Sequence, residues 1–252
     1  MGGLVKPEVR AFDTLRDASR ALAERIVETA NAAVKEQGRL TMALSGGKTP
    51  ELLYSLLASE YADKIEWNSI HLFWGDERYV SQEHPDSNFR MAHQTWISKV
   101  PIPLQNVHRI QTEEETPEKA AESYERILVE FFNASNEMTD STFDVMLLGL
   151  GTDGHTASLF PGSPALAEKR RWVVSADAPL AVFPKKRITL TLPLINNSRE
   201  VIFLALGGEK RSVIRTIFEE PEKAVKIYPA AMVRARERLL WYVDKNVLYG
   251  IS

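Results

Sequence analysis

The chain has 252 residues, of which 44% are hydrophobic and 26% charged, a balance typical of globular proteins and unlike disordered or fibrous chains. Its formal net charge of -3 provides no general attraction for nucleic acid, so local groups must hold any anionic ligand. The absence of cysteine excludes disulfides, thiolate metal sites and a cysteine nucleophile. We find neither a signal peptide nor an apolar run near the ~20 residues of a membrane helix, and we expect a cytoplasmic protein without a nucleic-acid or membrane partner.

Strand and helix patterns alternate along the chain. Apolar residues recur at helical spacing from Leu15 to Val34, and Gly38 is a plausible end for that helix. The predicted elements are helices over 14–37, 50–59 (with Thr49 as N-cap), 88–97, 117–132 and after Gly208, and strands over 40–44, 70–74, 143–148, 172–176, 187–192 and 201–206. This alternation predicts one α/β domain over 1–252, with a mainly parallel sheet and helices on both faces. Ligands of such sheets bind beyond the carboxyl ends of the strands.

The first candidate loop, SGGKTP, follows the strand over 40–44. Its glycines allow backbone N–H groups to turn toward a ligand, and the next helix presents its positive end. A nucleotide P-loop would need glycine at position 42, where the chain has methionine. The alternative is a tight turn before a capped helix. The candidate phosphate-binding residues are Ser45, Gly46, Gly47, Lys48 and Thr49.

The second candidate loop, FWGDERYV, places three charged residues directly after a buried strand. Arg78 offers a guanidinium fork for phosphate or carboxylate, and Asp76 is placed to orient that arginine or to bind a sugar hydroxyl. The alternative is a solvated loop with a local ion pair.

The third candidate loop, GLGTDGH, fits the dinucleotide pattern G-x-G-x-x-G. A dinucleotide site also needs a long helix after the turn, but Pro161, Gly162 and Pro164 leave room for only two turns. We expect His155 at the N-terminus of this short helix, where the positive helix end favours a neutral imidazole that acts as general base. Asp153 is placed to orient it or to contact substrate. The alternative is a structural histidine.

The remaining histidines do not indicate a metal site. His71 falls in a strand, His93 in a helix, and His84 and His108 in contexts that predict exposure. None has zinc-ligand spacing, so no metal is expected. The chain also lacks the G-x-S-x-G motif of serine hydrolases.

The motifs, taken together, resemble the 6-phosphogluconolactonase family over nearly the whole chain. They are, in order, LSGGKTP, FWGDERYV, DSNFRMA, MLLGLGTDGHTASLFPG, RITLTLP, ALGGEKRSVI and YPAAMV. The resemblance implies hydrolysis of 6-phospho-D-glucono-1,5-lactone, the second step of the oxidative pentose phosphate pathway, without metal or cofactor. It also implies the Rossmann-like α/β fold that the family shares with glucosamine-6-phosphate deaminases and ribose-5-phosphate isomerases.

The family's functional residues can be carried over by motif. The general base falls on His155, and the arginine needed for activity falls on Arg78. The phosphate loop falls on Ser45, Gly46, Gly47 and Thr49, while Arg187 and Lys210 are candidates for further anion contacts. We expect the glycines of GLGTDGH to allow close approach of a sugar ring. The expected ligand is a small sugar-phosphate lactone, bound by a monomer or weak homo-oligomer.

Three alternatives remain at this point. The deaminases have a motif similar to DGHIAFNEP, in which the acidic residue before the proline supplies a carboxylate that amino-sugar chemistry requires. This chain has Phe160 in the position of that acidic residue. A non-catalytic sugar-phosphate sensor would need an attached DNA-binding segment or basic patch, which the sequence does not display. A dinucleotide enzyme is disfavoured by the short helix after His155.

Overall fold

A computed structural model describes residues 5–132 and 143–248. Within these ranges the strands are β1 (Pro7–Phe12), β2 (Leu40–Leu44), β3 (Ile70–Trp74), β4 (Asp76–Arg78), β5 (Val145–Leu148), β6 (Val173–Asp177), β7 (Lys186–Leu190), β8 (Glu200–Ala205) and β9 (Arg238–Asp244). The α-helices are α1 (Leu15–Gln37), α2 (Lys48–Ser59), α3 (Asn88–Thr95), α4 (Pro117–Phe132), α5 (Leu192–Asn196), α6 (Arg211–Glu219), α7 (Pro221–Ile227) and α8 (Lys245–Leu248).

Six strands form a parallel sheet in the order β1-β9-β8-β5-β2-β3. Its inner strands β2, β5 and β8 are buried along their whole length, which explains why their sequences are continuous apolar runs. Helices flank the sheet, and α1 buries a stripe that includes Leu22, Ile26 and Ala30. The predicted mixed α/β fold with a mainly parallel sheet is confirmed.

Three further strands form a separate antiparallel sheet in the order β4-β7-β6. The chain passes from one sheet to the other at Gly75, whose N–H donates to Leu44 at 2.9 Å while its carbonyl accepts from Leu190 at 2.9 Å. The strands predicted over 172–176 and 187–192 therefore belong to this small sheet. The second of them ends early, because α5 begins at Leu192.

Local signals predicted some helix ends correctly. Thr14 caps α1 by accepting from Asp17 N–H at 3.1 Å, and Gly38 ends it with φ 78°, a conformation that favours glycine. Thr49 as N-cap of α2 was wrong: the helix begins at Lys48, and the preceding residue is Gly47 with φ 101°. Glycine permits that backbone conformation, which turns the loop into the helix two residues early.

The edge of the sheet at β3 carries a buried aromatic cluster that the sequence did not predict. His108 packs parallel to Phe73, with ring centroids 4.4 Å apart, and its Nε2 lies 3.2 Å from Nδ1 of His71. Burial lowers the pKa of His108 to about 4. The predicted exposed position of His108 is wrong, because its ring completes the packing over β3. Among the described residues, no helix is both long and apolar enough to cross a membrane.

Candidate active site

A cleft of about 330 Å³ opens at the carboxyl ends of the parallel strands and against the small sheet. Ten of the eleven residues predicted for the site line it: Ser45, Gly46, Gly47, Lys48, Thr49, Asp76, Arg78, His155, Arg187 and Lys210. The eleventh, Asp153, does not line the cleft and contacts His155 instead. The cleft is where open α/β sheets bind ligands, since loops from several strands converge there.

His155 and Asp153 form a hydrogen-bonded pair. Nδ1 of His155 lies 2.6 Å from Oδ1 of Asp153, and that oxygen also accepts the backbone N–H of His155 at 3.1 Å. A carboxylate only accepts, so Nδ1 carries the hydrogen and Nε2 is the ring nitrogen left for other chemistry. Burial alone would raise the pKa of Asp153, but its hydrogen bond and charge interaction with His155 hold the pKa below its usual value.

The chain after His155 is a series of turns, so its predicted place at a helix N-terminus is wrong. The loop is closed by its own bonds: Gly151 N–H donates to His155 O at 2.9 Å, and Thr156 Oγ1 donates to Gly149 O at 2.9 Å. The carboxylate of Asp153, rather than a helix dipole, therefore sets the electrostatic surroundings of the imidazole.

Two of the glycines of GLGTDGH have packing roles besides the predicted close approach of a sugar ring, which stays a prediction. A Cβ on Gly151 would lie 2.1 Å from Nδ1 of His155 and 2.6 Å from Oδ1 of Asp153. Gly154 has φ 81°, and a Cβ there would lie 2.3 Å from the ring of Tyr228. These two glycines make room for the histidine pair and for Tyr228, whereas Gly149 has open space around it.

Phe160 forms an apolar wall beside the imidazole. Its ring is buried and its centroid lies 4.7 Å from that of His155. The position of the acidic residue in the deaminase motif DGHIAFNEP is thus occupied by a hydrocarbon ring that lines the cleft. No proton can be exchanged there.

Asp76 is buried and its carboxylate is already bonded within the protein. Oδ2 accepts from Ser158 Oγ at 2.7 Å, and the N–H of Ser158 donates to Thr189 Oγ1 at 3.2 Å. These bonds join β4, β7 and the loop after His155. Asp76, predicted to contact substrate or orient Arg78, thus fastens the walls of the cleft together.

Glu77 holds the loop between β4 and α3. Its carboxylate accepts the backbone N–H groups of Arg78, Asn88 and Phe89 at 2.7, 2.7 and 2.8 Å. Burial raises its pKa to about 7, against the opposite effect of these donors. The guanidinium of Arg78 donates to Asp86 O at 2.6 Å in the same loop.

Arg187 is a buried cation in β7. It lies opposite Arg78 in the β4–β7 register, is 4% exposed, and its Nε has no acceptor among the described residues. Burial and then the charge of Arg78 lower its pKa. Lys210 lines the same cleft, where its Nζ donates to Leu206 O at 3.0 Å and burial lowers its pKa. The cleft therefore concentrates several cations, which the carboxylates of Asp76, Glu77 and Asp86 balance only in part at Arg187.

Sequence reasoning missed Asn88, Ser158 and Val182, which also line the cleft. Asn88 lies in DSNFRMA, a motif used above only for the resemblance, and Ser158 follows His155 by three residues. Val182 comes from the turn between β6 and β7, and only the pairing of those strands would have brought it to the cleft. In the parts of the chain that the structure describes, no group of three or more histidine, aspartate or glutamate side chains could hold a metal.

Fold and site together define an α/β protein with a cationic cleft of sugar-phosphate size and a histidine–aspartate pair at one wall. Residues 13–241 match the model of the family described as glucosamine-6-phosphate isomerases/6-phosphogluconolactonase. The chain belongs to this family, which confirms the resemblance predicted from its motifs.

Several relatives carry the name of one activity. A 6-phosphogluconolactonase of Synechocystis is 44% identical over 85% of this chain and 85% of its own. A chloroplastic 6-phosphogluconolactonase of Arabidopsis thaliana is 38% identical over 95% of this chain and 74% of its own. The solved structure of the 6-phosphogluconolactonase of Trypanosoma cruzi is 30% identical, covers 99% of this chain and 98% of its own, and superposes with a TM-score of 0.87.

The contact at Gly151 can be tested by substitution. Gly151→Ala should displace the imidazole, break its bond to Asp153 and lower the free energy of unfolding by about 1–3 kcal/mol, because the added methyl overpacks the loop. Imidazole ¹⁵N chemical shifts of His155 and urea denaturation measure both effects. Gly149→Ala is the matched control, since its Cβ meets no atom within 4 Å. Unchanged His155 shifts in Gly151→Ala would contradict the packing role.

Proposed function

We propose that the protein hydrolyses 6-phospho-D-glucono-1,5-lactone to 6-phosphogluconate. The observation that carries the proposal is the cleft itself, which is lined by His155, held by Asp153, and by a buried arginine whose Nε has no acceptor among the described residues. Such a cleft suits a ligand with a reactive carbonyl at one end and a phosphate at the other. The names of the relatives support the same substrate.

Catalysis begins at Nε2 of His155. This nitrogen takes a proton from a water molecule while the water oxygen forms a bond to C1, and the carbonyl electrons move to the exocyclic oxygen. Asp153 keeps the ring oriented and stabilises the imidazolium that forms. Collapse restores the carbonyl, breaks the bond from C1 to the ring oxygen, and returns the proton from Nε2 to that oxygen. No covalent enzyme intermediate is needed, because a lactone is already an activated ester.

Charge on the carbonyl oxygen needs hydrogen-bond donors, each worth on the order of 3 kcal/mol in the transition state. The backbone N–H groups of Gly151, Gly154 and His155 already donate within the loop. The backbone donors of residues 149–155 are thus partly used, and the N–H groups of this loop that remain are the donors proposed for this oxygen. Arg78 also lines the cleft, but it pairs with Arg187 in the small sheet and is assigned to the phosphate below.

Phosphate is assigned to the face of the cleft formed by Arg78 and Arg187. A guanidinium binds phosphate through two parallel N–H donors, and a phosphate between the two arginines would also relieve their repulsion. Lys210 adds charge to the same cleft, as does the exposed Lys48 at the start of α2. Binding at this end fixes the position of the distant C1 beside His155.

The other activities considered for this fold fit the site less well. Amino-sugar deamination needs the carboxylate that Phe160 replaces, and release of ammonia from glucosamine 6-phosphate would be the evidence for it. A sensor would bind the sugar phosphate without turnover. A dinucleotide site lacks the helix that should follow GLGTDGH. The cytoplasmic location and the monomeric or weakly oligomeric state remain predictions.

The role of His155 is tested with freshly made 6-phosphogluconolactone, following acid release and subtracting the spontaneous rate. His155→Ala should fall to the background rate, because no other group in the cleft is placed to deprotonate water. Asp153→Asn should keep substrate affinity and lower kcat by at least about tenfold, because the imidazole loses its orienting carboxylate. Nearly full kcat in His155→Ala would contradict the mechanism.

The role of Arg187 is tested with two substrates, the phosphorylated lactone and plain glucono-1,5-lactone. Arg187→Met should lower kcat/KM for the phosphorylated lactone about 10- to 100-fold, as loss of a charged hydrogen bond does, and change the plain lactone little. The free energy of unfolding should rise by about 1 kcal/mol or more, because an unpaired buried charge is removed.

Arg187→Lys is the matched control for Arg187. It keeps the charge and loses the fork, so it should recover part of the preference for the phosphorylated lactone. Equal losses on both lactones in Arg187→Met would place Arg187 at the carbonyl rather than at the phosphate.

A further inference from the structure

The side chain of Asn88 is buried in the wall of the cleft with one half of its amide unpaired. The residue is 2% exposed and is the first residue of α3. Its Nδ2 donates to the backbone carbonyl of Asp76 at 2.9 Å, whereas its Oδ1 has no hydrogen-bond partner among the described residues. A buried carbonyl oxygen normally has a donor, so the missing partner is informative.

The orientation of this amide is determined by its neighbours. Nδ2 also lies 3.4 Å from Oδ1 of Asp76, so a flipped amide would place its oxygen against two acceptors of that residue. The backbone of Asn88 is held as well, since its N–H donates to Glu77 Oε1 at 2.7 Å. Oδ1 is therefore fixed on the side away from Asp76.

Oδ1 lies directly over the loop that follows β2. A Cβ added to Gly46 would come within 1.8 Å of Oδ1 and 2.2 Å of Cγ of Asn88. Both residues line the cleft, so the glycine leaves room for the amide at its edge. Glycine at position 46 is thus explained by Asn88 as well as by the turn.

A carbonyl oxygen in this position selects donors. It accepts from a hydroxyl and repels the oxygens of phosphate and carboxylate, and the carboxylate of Asp76 behind it has the same preference. Arg78 and Arg187, by contrast, prefer anions. The cleft thus has chemically different walls, and the hydroxyls of a sugar ring fit the one that Asn88 forms.

We propose that Oδ1 of Asn88 accepts a hydrogen bond from one ring hydroxyl of the bound lactone and so determines which sugar the enzyme accepts. This assignment rests on the proposed lactonase function. The hydroxyl supplies the donor that the folded protein lacks, and a substrate without it leaves Oδ1 buried and unpaired. A site built this way rejects the analogue strongly.

The test combines protein variants with substrates that lack one hydroxyl each. Wild type, Asn88→Ala and Asn88→Asp are assayed with 6-phosphogluconolactone and with its 2-, 3- and 4-deoxy forms. Both variants lose the bond from Nδ2 to Asp76, and Asn88→Asp also places an oxygen against the two acceptors of that residue, so its carboxylate should turn away from the Oδ1 position. Asn106→Ala is the control for loss of a buried asparagine, because its Nδ2 bonds Asn68 O and the residue does not line the cleft.

Wild type should lose at least tenfold more kcat/KM with one deoxy lactone than with the other two. Asn88→Ala should lose about tenfold on the parent lactone and show no additional loss on that deoxy form. Asn88→Asp should lose the discrimination as Asn88→Ala does, because its carboxylate is repelled by Asp76, and Asn106→Ala should keep it. Equal losses of wild type on all three deoxy lactones would overturn the assignment, even if Asn88→Ala did not fold.

If the losses in log kcat/KM caused by Asn88→Ala and by the missing hydroxyl were additive, the assignment would also be overturned. The lactonase function would remain intact. Wild type that fails to hydrolyse the parent lactone would overturn the proposed function, and the role of Asn88 with it.

Discussion

The antiparallel pairing of β4 with β7 holds two arginines face to face, and the rest of the site depends on this constraint. Arg78 and Arg187 are register partners, so the backbone forbids them from moving apart. One of them is buried without an acceptor for its Nε. Burying an unpaired charge is costly unless a ligand supplies the opposite charge. The fold carries part of this cost in the free protein, which supports the proposal that the cleft binds an anion.

The same pairing explains why the protein has two sheets. Gly75 uses its N–H in the parallel sheet and its carbonyl in the antiparallel one, so β3 and β4 are nearly continuous while their partners differ. This change of partner brings β7 to the carboxyl ends of the parallel strands. The bond from Ser158 to Asp76 then ties the loop that carries His155 to the small sheet. Distance and orientation between the cationic wall and the histidine are fixed by buried hydrogen bonds.

The histidine pair shows how a short loop orients an imidazole without a helix. Asp153 is two residues before His155, and the chain turns back so that one carboxylate oxygen bonds both the ring and the backbone of His155. Gly151 is needed because the pair lies against its Cα. With Asn88 as the proposed acceptor in another wall, the cleft offers separate groups for the reactive, hydroxylated and phosphorylated parts of the proposed substrate.

Much of this could be predicted from local sequence. Apolar runs predicted the central strands, and turn residues predicted the loops between strands and helices. Parallel topology places those loops at one edge of the sheet, which is why ten of the predicted residues share a cleft. Long-range pairing could not be predicted: the strand RITLTL was extended to Leu192, although α5 begins at that residue. The strands β1 and β9 were missed, and so were the partners of Asp76, because Ser158 and Asn88 meet it only after the small sheet forms.

The most direct test of the account is a crystal structure of the protein with 6-phosphogluconate, the product of the proposed reaction. We predict the phosphate between Arg78 and Arg187, the C1 carboxylate within hydrogen-bond distance of Nε2 of His155, and one hydroxyl on Oδ1 of Asn88. A phosphate bound away from both arginines, or a C1 carboxylate at the opposite end of the cleft from His155, would contradict the account.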